Sequence, residues 1–583
     1  MAPLISREMV SKATGLHQFP IPGLDRLFMQ LTGLNHFNAE FDKVKHLHGI
    51  AFIDAVLTLL GIHIDIRDED IARIPRKGAF IMLANHPYGG IEGLIILKIL
   101  YQVRPEAKVV ANYLLQQVAN IKDAFIPVDP FHEVPIAANA TGLKIMWKAL
   151  EQGTPVVIFP AGEVSSYQYD IQQITDKKWH PVIGKFLCKM AVPVIPVFFH
   201  GHNSAAFIWL GQLHPKLRTM RLPAELFNKK GKTIRVRIGE KIQVHRLDES
   251  LQKPDRLLEY VRARTYALGM DISKNKWAWT ERNLFKKPAK PQPIAAAIST
   301  VQLEAELNNL PHCILLRSGN FTVYLAASAQ IPLTLREIGR LREITFRQVG
   351  EGTNLALDLD VFDIHYRQLF IWHNVDKQIV GGYRIGLGEE LMYAQGKRGF
   401  YLSQLFKMKQ EFVQILPQAM ELGRSWIGSE YQKQPMPLYL LWKGIIACMK
   451  QYPQYRYLIG PVSISGDFSA FSKSIIIEFI RKNCFDHELA KVVKPKKAFK
   501  PRLKRMKLEN LLENPHSFQA LESLIQDIER PNNRFPVLLR QYLQLNAKII
   551  AFNVDPNFNN SLDGLLLLDK EVSDLAAKER YFR

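Results

Sequence analysis

One stretch, "FKKPAKPQPIAAAIST" at residues 285–300, breaks the apolar periodicity of the chain and divides it into two cores. Lysine, proline and alanine replace patterned hydrophobic residues there, as in a semi-extended linker. The 583 residues also exceed what one core serves, roughly 100–250 residues. We therefore expect a first domain over 1–285, a linker over 286–300 and a second domain over 301–583.

Upstream of the break, short β-branched runs alternate with helical ones. "GAFIMLAN", "AKVVAN", "DAFIPVD", "TPVVIFPAG" and "VPVIPVFFHG" have the length and composition of strands buried on both faces. "GLIILKILYQV" and "AANATGLKIMWKALEQG" lie between them as helices, so the first half reads as α/β. Downstream, "PLTLREIGRLREITFRQ" has helical spacing, and "YRQLFIWHN" with "QIVGGYRIGLG" reads as a hairpin-like pair of strands. A second helix, "PLYLLWKGIIACMKQYP", and a strand, "YRYLIGPVSIS", complete an α+β layer around a central mixed sheet.

Charge limits the partners. The balance is +21, from 76 basic minus 55 acidic residues, which favours an anionic partner. The basic run "KVVKPKKAFKPRLKRMK" at 491–507 fits a solvated loop or anionic lipid head groups. Nucleic acid is set aside, because the chain has neither zinc-finger spacing nor an RNP-type aromatic motif. Cys188, Cys313, Cys448 and Cys484 form no CxxC pair, which fits a reducing cytoplasm. The N-terminal residues lack a signal peptide's apolar core. "GIAFIDAVLTLLGIHI" carries Asp54 and is shorter than the ~20 residues that span a bilayer. It suits a peripheral position better than a crossing one. No metal site is expected: His46, His48 and His63 have no suitably spaced cysteine or acid to complete one.

In "ANHPYGGIEGL", residues 84–94, His86 and Glu92 flank Gly89 and Gly90. The strand should end at Asn85 and the helix begin near Glu92, where a carboxylate is favoured by the helix N-terminus. Such a carboxylate would hold the imidazole through Nδ1–H and leave Nε2 as a proton acceptor.

The order "NHPYGGIEG", "FIPVDPF", "VVIFPAGEVS", "VPVIPVFFHG" resembles the four blocks of the glycerolipid acyltransferase superfamily, over about residues 50–245. That resemblance implies that His86 deprotonates an acceptor hydroxyl, which attacks an acyl thioester while the acid orients the ring. It also implies an acceptor site at Phe159, Pro160, Gly162 and Glu163. Two departures stand out: five residues separate His86 from its acid, and the acid is glutamate. Position 164 is valine, and "FIPVDPF" also lacks the arginine that the family associates with an acceptor phosphate. Arginine suits phosphate through its bidentate fork, so its loss points to an acceptor without phosphate. "FHGHNS", with Asn203, and Arg218 offer substitutes.

The second half carries Arg342 and Phe346, Asp360 and Asp363, Arg384, then Glu421 and Arg424. Singly, such residues form surface pairs worth little. As an ordered set they resemble acyl-homoserine-lactone synthases and ornithine N-acyltransferases, which share a GNAT-like fold and take acyl groups from acyl carrier protein. The amine acceptor needs a base, for which Glu421 is the candidate. Asp360 and Asp363 would hold the acceptor's cationic groups, and Arg384 or Arg424 its carboxylate. The coenzyme A loop pattern occurs once, as "RQVGEG" at 347–352, ahead of the central strand rather than after it. Acidic acyl carrier protein is therefore the expected donor and partner, with acyl-CoA the alternative and no resident cofactor.

Together the halves resemble bifunctional ornithine-lipid synthases. That implies N-acylation of ornithine by a 3-hydroxyacyl group in the C-terminal half. The N-terminal half would then O-acylate the new hydroxyl, at the inner face of a bacterial membrane. Two alternatives stay open. One is the same chemistry on glycine or another amino acid. The other is a lysophospholipid acyltransferase whose C-terminal half is a non-catalytic binding module.

Overall fold

The computed structural model describes residues 29–573, except 31–33, 113–117, 129–135, 170–172, 214–220, 248, 250, 271–290, 502–517, 530–534 and 557. The linker up to residue 290, Arg218 and the end of the basic run lie outside the described residues. The chain forms two compact units. The first comprises the described residues up to 270 together with Gln519–Ile528; the second comprises those from 272 to 504 and from 529 on. The second half of the sequence therefore contributes a helix, Phe518–Ile528, nearly all of which belongs to the first unit. Asp527 on that helix accepts from the Arg264 guanidinium and from the Glu240 N–H.

The first unit is built on β1 (His63–Asp65), β2 (Ile81–Ala84), β3 (Lys108–Asn112), β4 (Phe125–Val128), β5 (Val156–Ile158), β8 (Val194–Phe199) and β9 (Thr233–Ile238). A separate two-stranded ribbon is made by β6 (Ser166–Gln168) and β7 (Gln173–Thr175). The large sheet runs in the order β1-β9-β8-β2-β5-β3-β4. It is parallel except for β8 against β9. Its central strands are apolar without alternation ("IMLA", "VVI"), as a sheet covered on both faces requires. The helix Ile91–Tyr101 is likewise apolar almost all round, and eight of its eleven residues are buried.

The central register matters most for function. Leu83 pairs with Ile158 and Ala84 with Val197, all in parallel strands. The C-terminal ends of β2, β5 and β8 therefore share one edge, where open α/β sheets place their ligands. The segments starting at Asn85, Phe159 and His200 emerge there together. This joins the first, third and fourth sequence blocks.

The second unit holds β10 (Ile314–Ser318), β11 (Phe321–Ala327), β12 (Arg367–His373), β13 (Gln378–Leu387), β15 (Ala419–Ile427), β16 (Tyr457–Ile464), β18 (Lys548–Asp555) and β19 (Ser561–Asp569). They form one sheet in the order β10-β11-β12-β13-β15-β16-β19-β18. A small pair, β14 (Phe406–Met408) and β17 (Val493–Pro495), lies apart from it. Only β15 and β16 run parallel, and their pairing lasts from Ala419–Tyr457 to Glu421–Ile459. Both expected helices form, Pro332–Gln348 and Pro435–Gln451, each starting on proline at its first position. The expected hairpin is β12–β13. The fold is thus the expected α/β unit followed by an α+β unit with a mixed sheet.

Candidate active sites

In the first unit the site is assembled by backbone clasps around β2. Asn85, buried, donates from Nδ2 to the Phe199 carbonyl at 3.0 Å and accepts the Phe199 N–H at 2.7 Å. Its side chain thereby continues the β2–β8 ladder beyond the last paired residue and fixes where the next residue starts. His86 then donates its N–H to Asp176 Oδ1 at 3.1 Å, and its carbonyl accepts the Ser165 N–H at 2.8 Å. Asp176 also accepts from the Ser165 hydroxyl at 2.5 Å and Trp179 Nε1 at 3.1 Å. The Tyr266 hydroxyl holds the Asp176 backbone N–H at 2.9 Å.

The imidazole ring packs at a tilt against Phe159, centroids 4.5 Å apart, and is 17% exposed. Its Nδ1 lies 3.3 Å from Glu92 Oε1. Glu92 is fully buried at the start of the helix Ile91–Tyr101. Its carboxylate accepts three successive backbone N–H groups: Tyr88 at 2.5 Å, Gly89 at 3.0 Å and Gly90 at 2.9 Å. Burial pushes this carboxyl up, but the facing imidazole and the backbone donors prevail and hold it below its ordinary value. An ionised Glu92 facing Nδ1 favours the tautomer with its proton there, which leaves Nε2 as the acceptor. The residue spacing has a conformational reason. Gly89 has φ +96°, and a Cβ there would come within 2.5 Å of Leu222 and 2.7 Å of Val164.

Around this dyad, Gly162, at φ +69°, lets its N–H close a turn onto the Phe159 carbonyl at 3.0 Å. Pro160 is buried and its carbonyl accepts the His180 N–H at 3.0 Å. Glu163 is paired with Lys177 at 2.8 Å. Val164, at the place of the family's arginine, is buried against Gly89. Asn203 is buried and donates to the Tyr88 carbonyl at 3.0 Å. Behind the Tyr88–Gly90 turn lies a cavity of about 210 Å³, lined mainly by apolar side chains including Phe41, Phe52, Leu94 and Phe227. Sequence reading missed Asp176. It lies in "ITDKKWHP", which has no motif to mark it.

In the second unit the expected arginines and aspartates converge, joined by Asp358. Arg342 is bidentate on Asp363 at 2.9 and 3.0 Å and reaches Asp358 at 3.0 Å. Arg384 binds Asp360 at 2.6 Å and Asp363 at 3.3 Å. Arg424 lies 3.2 Å from both Asp358 and Asp360. Three cations thus neutralise three anions. Burial would raise the Asp363 carboxyl, yet Arg342 and Arg384 beside it hold it well below the usual range. The roles expected for Asp360 and Asp363 toward an acceptor cation, and for Arg384 and Arg424 toward a carboxylate, therefore meet groups already paired with one another. Phe346 sits in the hydrophobic core with Trp372 and Trp426.

Glu421, on β15 where pairing with β16 stops, is buried. It accepts from the Tyr366 hydroxyl and from the N–H groups of Tyr401 at 3.0 Å and Leu402 at 2.8 Å. Burial pushes its carboxyl up to about 7 against those donors. Three residues on, Arg424 adopts φ +49°, a left-handed conformation that costs a non-glycine residue on the order of 1–3 kcal/mol. Its guanidinium lies over the rings of Tyr401 and Phe558, at 5.2 and 4.3 Å. Tyr366 and Tyr401 were not foreseen.

Residues 9–274 match the family model described as "Acyltransferase", and residues 341–442 that of "Acetyltransferase (GNAT) domain". A glycine N(alpha)-acyltransferase of Phocaeicola vulgatus is 29% identical over 278 residues, covering 46% of this chain and 85% of that one. A lyso-glycine lipid O-acyltransferase of Bacteroides thetaiotaomicron is 24% identical over 247 residues, covering 40% of this chain and 85% of that one. The 1-acyl-sn-glycerophosphate acyltransferase of Thermotoga maritima, a solved structure, is 16% identical, covering 48% of this chain and 100% of that chain at a TM-score of 0.23.

Proposed function

For this acyltransferase, which joins an acyltransferase domain to a GNAT domain, we propose the two successive steps of aminolipid synthesis. In the second unit, the amine of an α-amino acid attacks the thioester carbonyl of a 3-hydroxyacyl donor. Glu421 takes the amine's proton, directly or through water, the amide forms as the C–S bond breaks, and the departing thiolate receives that proton. In the first unit, His86 Nε2 takes the proton of the resulting hydroxyl. The oxygen attacks a second acyl thioester and the thiol leaves protonated. The observation that carries this reading is the His86–Glu92 dyad, tuned for hydroxyl activation, on the same chain as a GNAT sheet with a buried acid at its one parallel junction.

Glycine is the amino acid we assign. The curated relatives carry glycine in their names, and the paired Asp360 and Asp363 leave a second ammonium without a counter-charge in their network. Ornithine remains the second reading, favoured by a separate group of acids. Asp555 binds the Tyr401 hydroxyl at 3.2 Å, and Asp563, nearby, is pushed up to about 6 by burial. The donor is acyl carrier protein or acyl-CoA. The acidic carrier suits the +21 balance. No helix among the described residues is long and apolar enough to cross a membrane. Peripheral attachment at the inner face of a bacterial membrane fits the exposed lysines of 491–500, among them Lys494 directly across the ladder from Lys407.

Mass spectrometry of lipids from an aminolipid-free host tests the proposal. The wild type should yield a phosphorus-free diacyl aminolipid whose head-group mass names the amino acid. His86→Ala should stop at the mono-acylated form and Glu421→Gln should yield neither. A change confined to phospholipid acyl composition would sink the reading.

A further inference from the structure

We propose that Lys229 anchors the anionic end of the O-acylation acceptor, the carboxylate of a long-chain N-acyl amino acid whose hydroxyl meets His86. This rests on the aminolipid reading of that unit. The cavity behind the catalytic turn is apolar except at a few side chains, chiefly Glu225 and Lys229. Both are buried, at 1% and 3% exposure. A buried ammonium is costly unless its charge is matched and its donors are used.

Glu225 is amply supplied without it. Its carboxylate accepts the Ser204 N–H at 3.0 Å, the Ser204 hydroxyl at 2.5 Å, Asn228 Nδ2 at 3.1 Å and Arg221 Nε at 3.3 Å. The Lys229 contact is the longest of the five, at 3.4 Å. Among the described residues, that is the only hydrogen bond of an ammonium with three donors. Its other neighbour is the face of the Tyr88 ring, 5.0 Å away. Arg221, the second cation on Glu225, is part-exposed, whereas Lys229 is buried, with Glu225 in contact and the ionised Glu92 acting on it from farther off. Burial accordingly lowers the Lys229 ammonium despite the pull of Glu225.

The position suits the acceptor. Lys229 rests on Tyr88, whose N–H is held by Glu92, which in turn faces His86 Nδ1. Val164 packs against the turn at Gly89, so the third block brings no cation to that position. An apolar cavity with one underused ammonium fits an amphiphile with a single anionic group. N-acylation of an amino acid makes such a molecule, because it removes the amine's charge and keeps the carboxylate. A phosphate shares this chemistry, and the acceptors below separate the two.

The test uses the full chain, an acyl thioester donor and four acceptors. These are an N-(3-hydroxyacyl)amino acid, its neutral carboxamide, a lysophosphatidate and a neutral monoacylglycerol. Wild type should prefer the acid over the carboxamide by on the order of 10- to 100-fold in kcat/KM, as for a charge-assisted hydrogen bond. Lys229→Met should bring that ratio near one, mainly through KM, while Lys229→Arg should keep most of it. A wild type indifferent to the charge, or a ratio that survives Lys229→Met, overturns the anchor. The wild-type ratio decides even if Lys229→Met fails to fold, and Lys229→Gln then serves as the variant. Transfer to lysophosphatidate alone would end the aminolipid reading, and the phosphate-to-neutral ratio in the same variants would then judge the anchor. No transfer to any of the four acceptors overturns both.

Discussion

The two sites handle buried charge in opposite ways. In the first unit one carboxylate, Glu92, is stabilised by three backbone N–H groups and one imidazole. In the second, three arginines and three aspartates neutralise each other, and a separate acid, Glu421, takes its hydrogen bonds from neutral donors. The facing imidazole, with the backbone donors, keeps Glu92 ionised, so the first site presents a ready base. Mutual pairing of six charges fixes a shape instead, and the acid beside it stays near the protonation midpoint at neutral pH.

Variants can break or sharpen this contrast. The largest effect should come from His86→Ala. Loss of a general base costs on the order of 10²–10⁴ in rate, here confined to O-acyl transfer, with N-acylation unchanged when each step is assayed with its own acceptor. Arg342→Met comes next. It leaves Asp358 and Asp363 short of their main cation, and breaking a buried pair costs about 3–5 kcal/mol. Chemical denaturation should show the loss in the second unit's transition, and an unchanged transition would refute the closed-network account.

The pH dependence of the second site is a smaller effect. Glu421, at about 7 when folded against 4.5 when free, favours folding while protonated. Its contribution is complete below pH about 4.5 and is lost as the pH rises through about 7, by at most ~3 kcal/mol. The rate of N-acylation should run the other way, rising through pH about 7 as the base ionises. Glu421→Gln should abolish N-acylation at every pH and flatten the stability profile. The smallest effect belongs to Glu163→Gln, which loses a half-exposed pair with Lys177 and should shift stability by under ~1 kcal/mol in a thermal melt.

How much of this the sequence carried depended on distance along the chain. His86, Gly89, Gly90 and Glu92 lie within seven residues, so the strand–turn–helix setting was readable locally. The clamps on that turn were not. Asp176, Tyr266 and Lys229 arrive from 90 or more residues away, and no motif around them points to the turn. In the second unit the residues that converge were readable from their order, whereas their partners were not, because pairing is decided by register and burial. Asp358, two residues ahead of Asp360, takes Arg342 and Arg424. The final hairpin, β18–β19, had a signal that went unused. β-branched "KIIAFNV" and apolar "GLLLLD" flank Asn559 and Asn560, both at positive φ, as turns between strands favour. Assignment of Gln519–Ile528 to the first unit had none, because an apolar stripe in a sequence does not say which core it will meet.

That helix ties folding order to chain order. Arg264 is buried, and its carboxylate partner comes from position 527. During synthesis the first unit cannot close over this guanidinium until more than 250 further residues have left the ribosome. A gene cut within 285–300 would give an N-terminal product lacking one of its own helices, so fission of this protein into two independent enzymes would first require that debt to be met by a new segment.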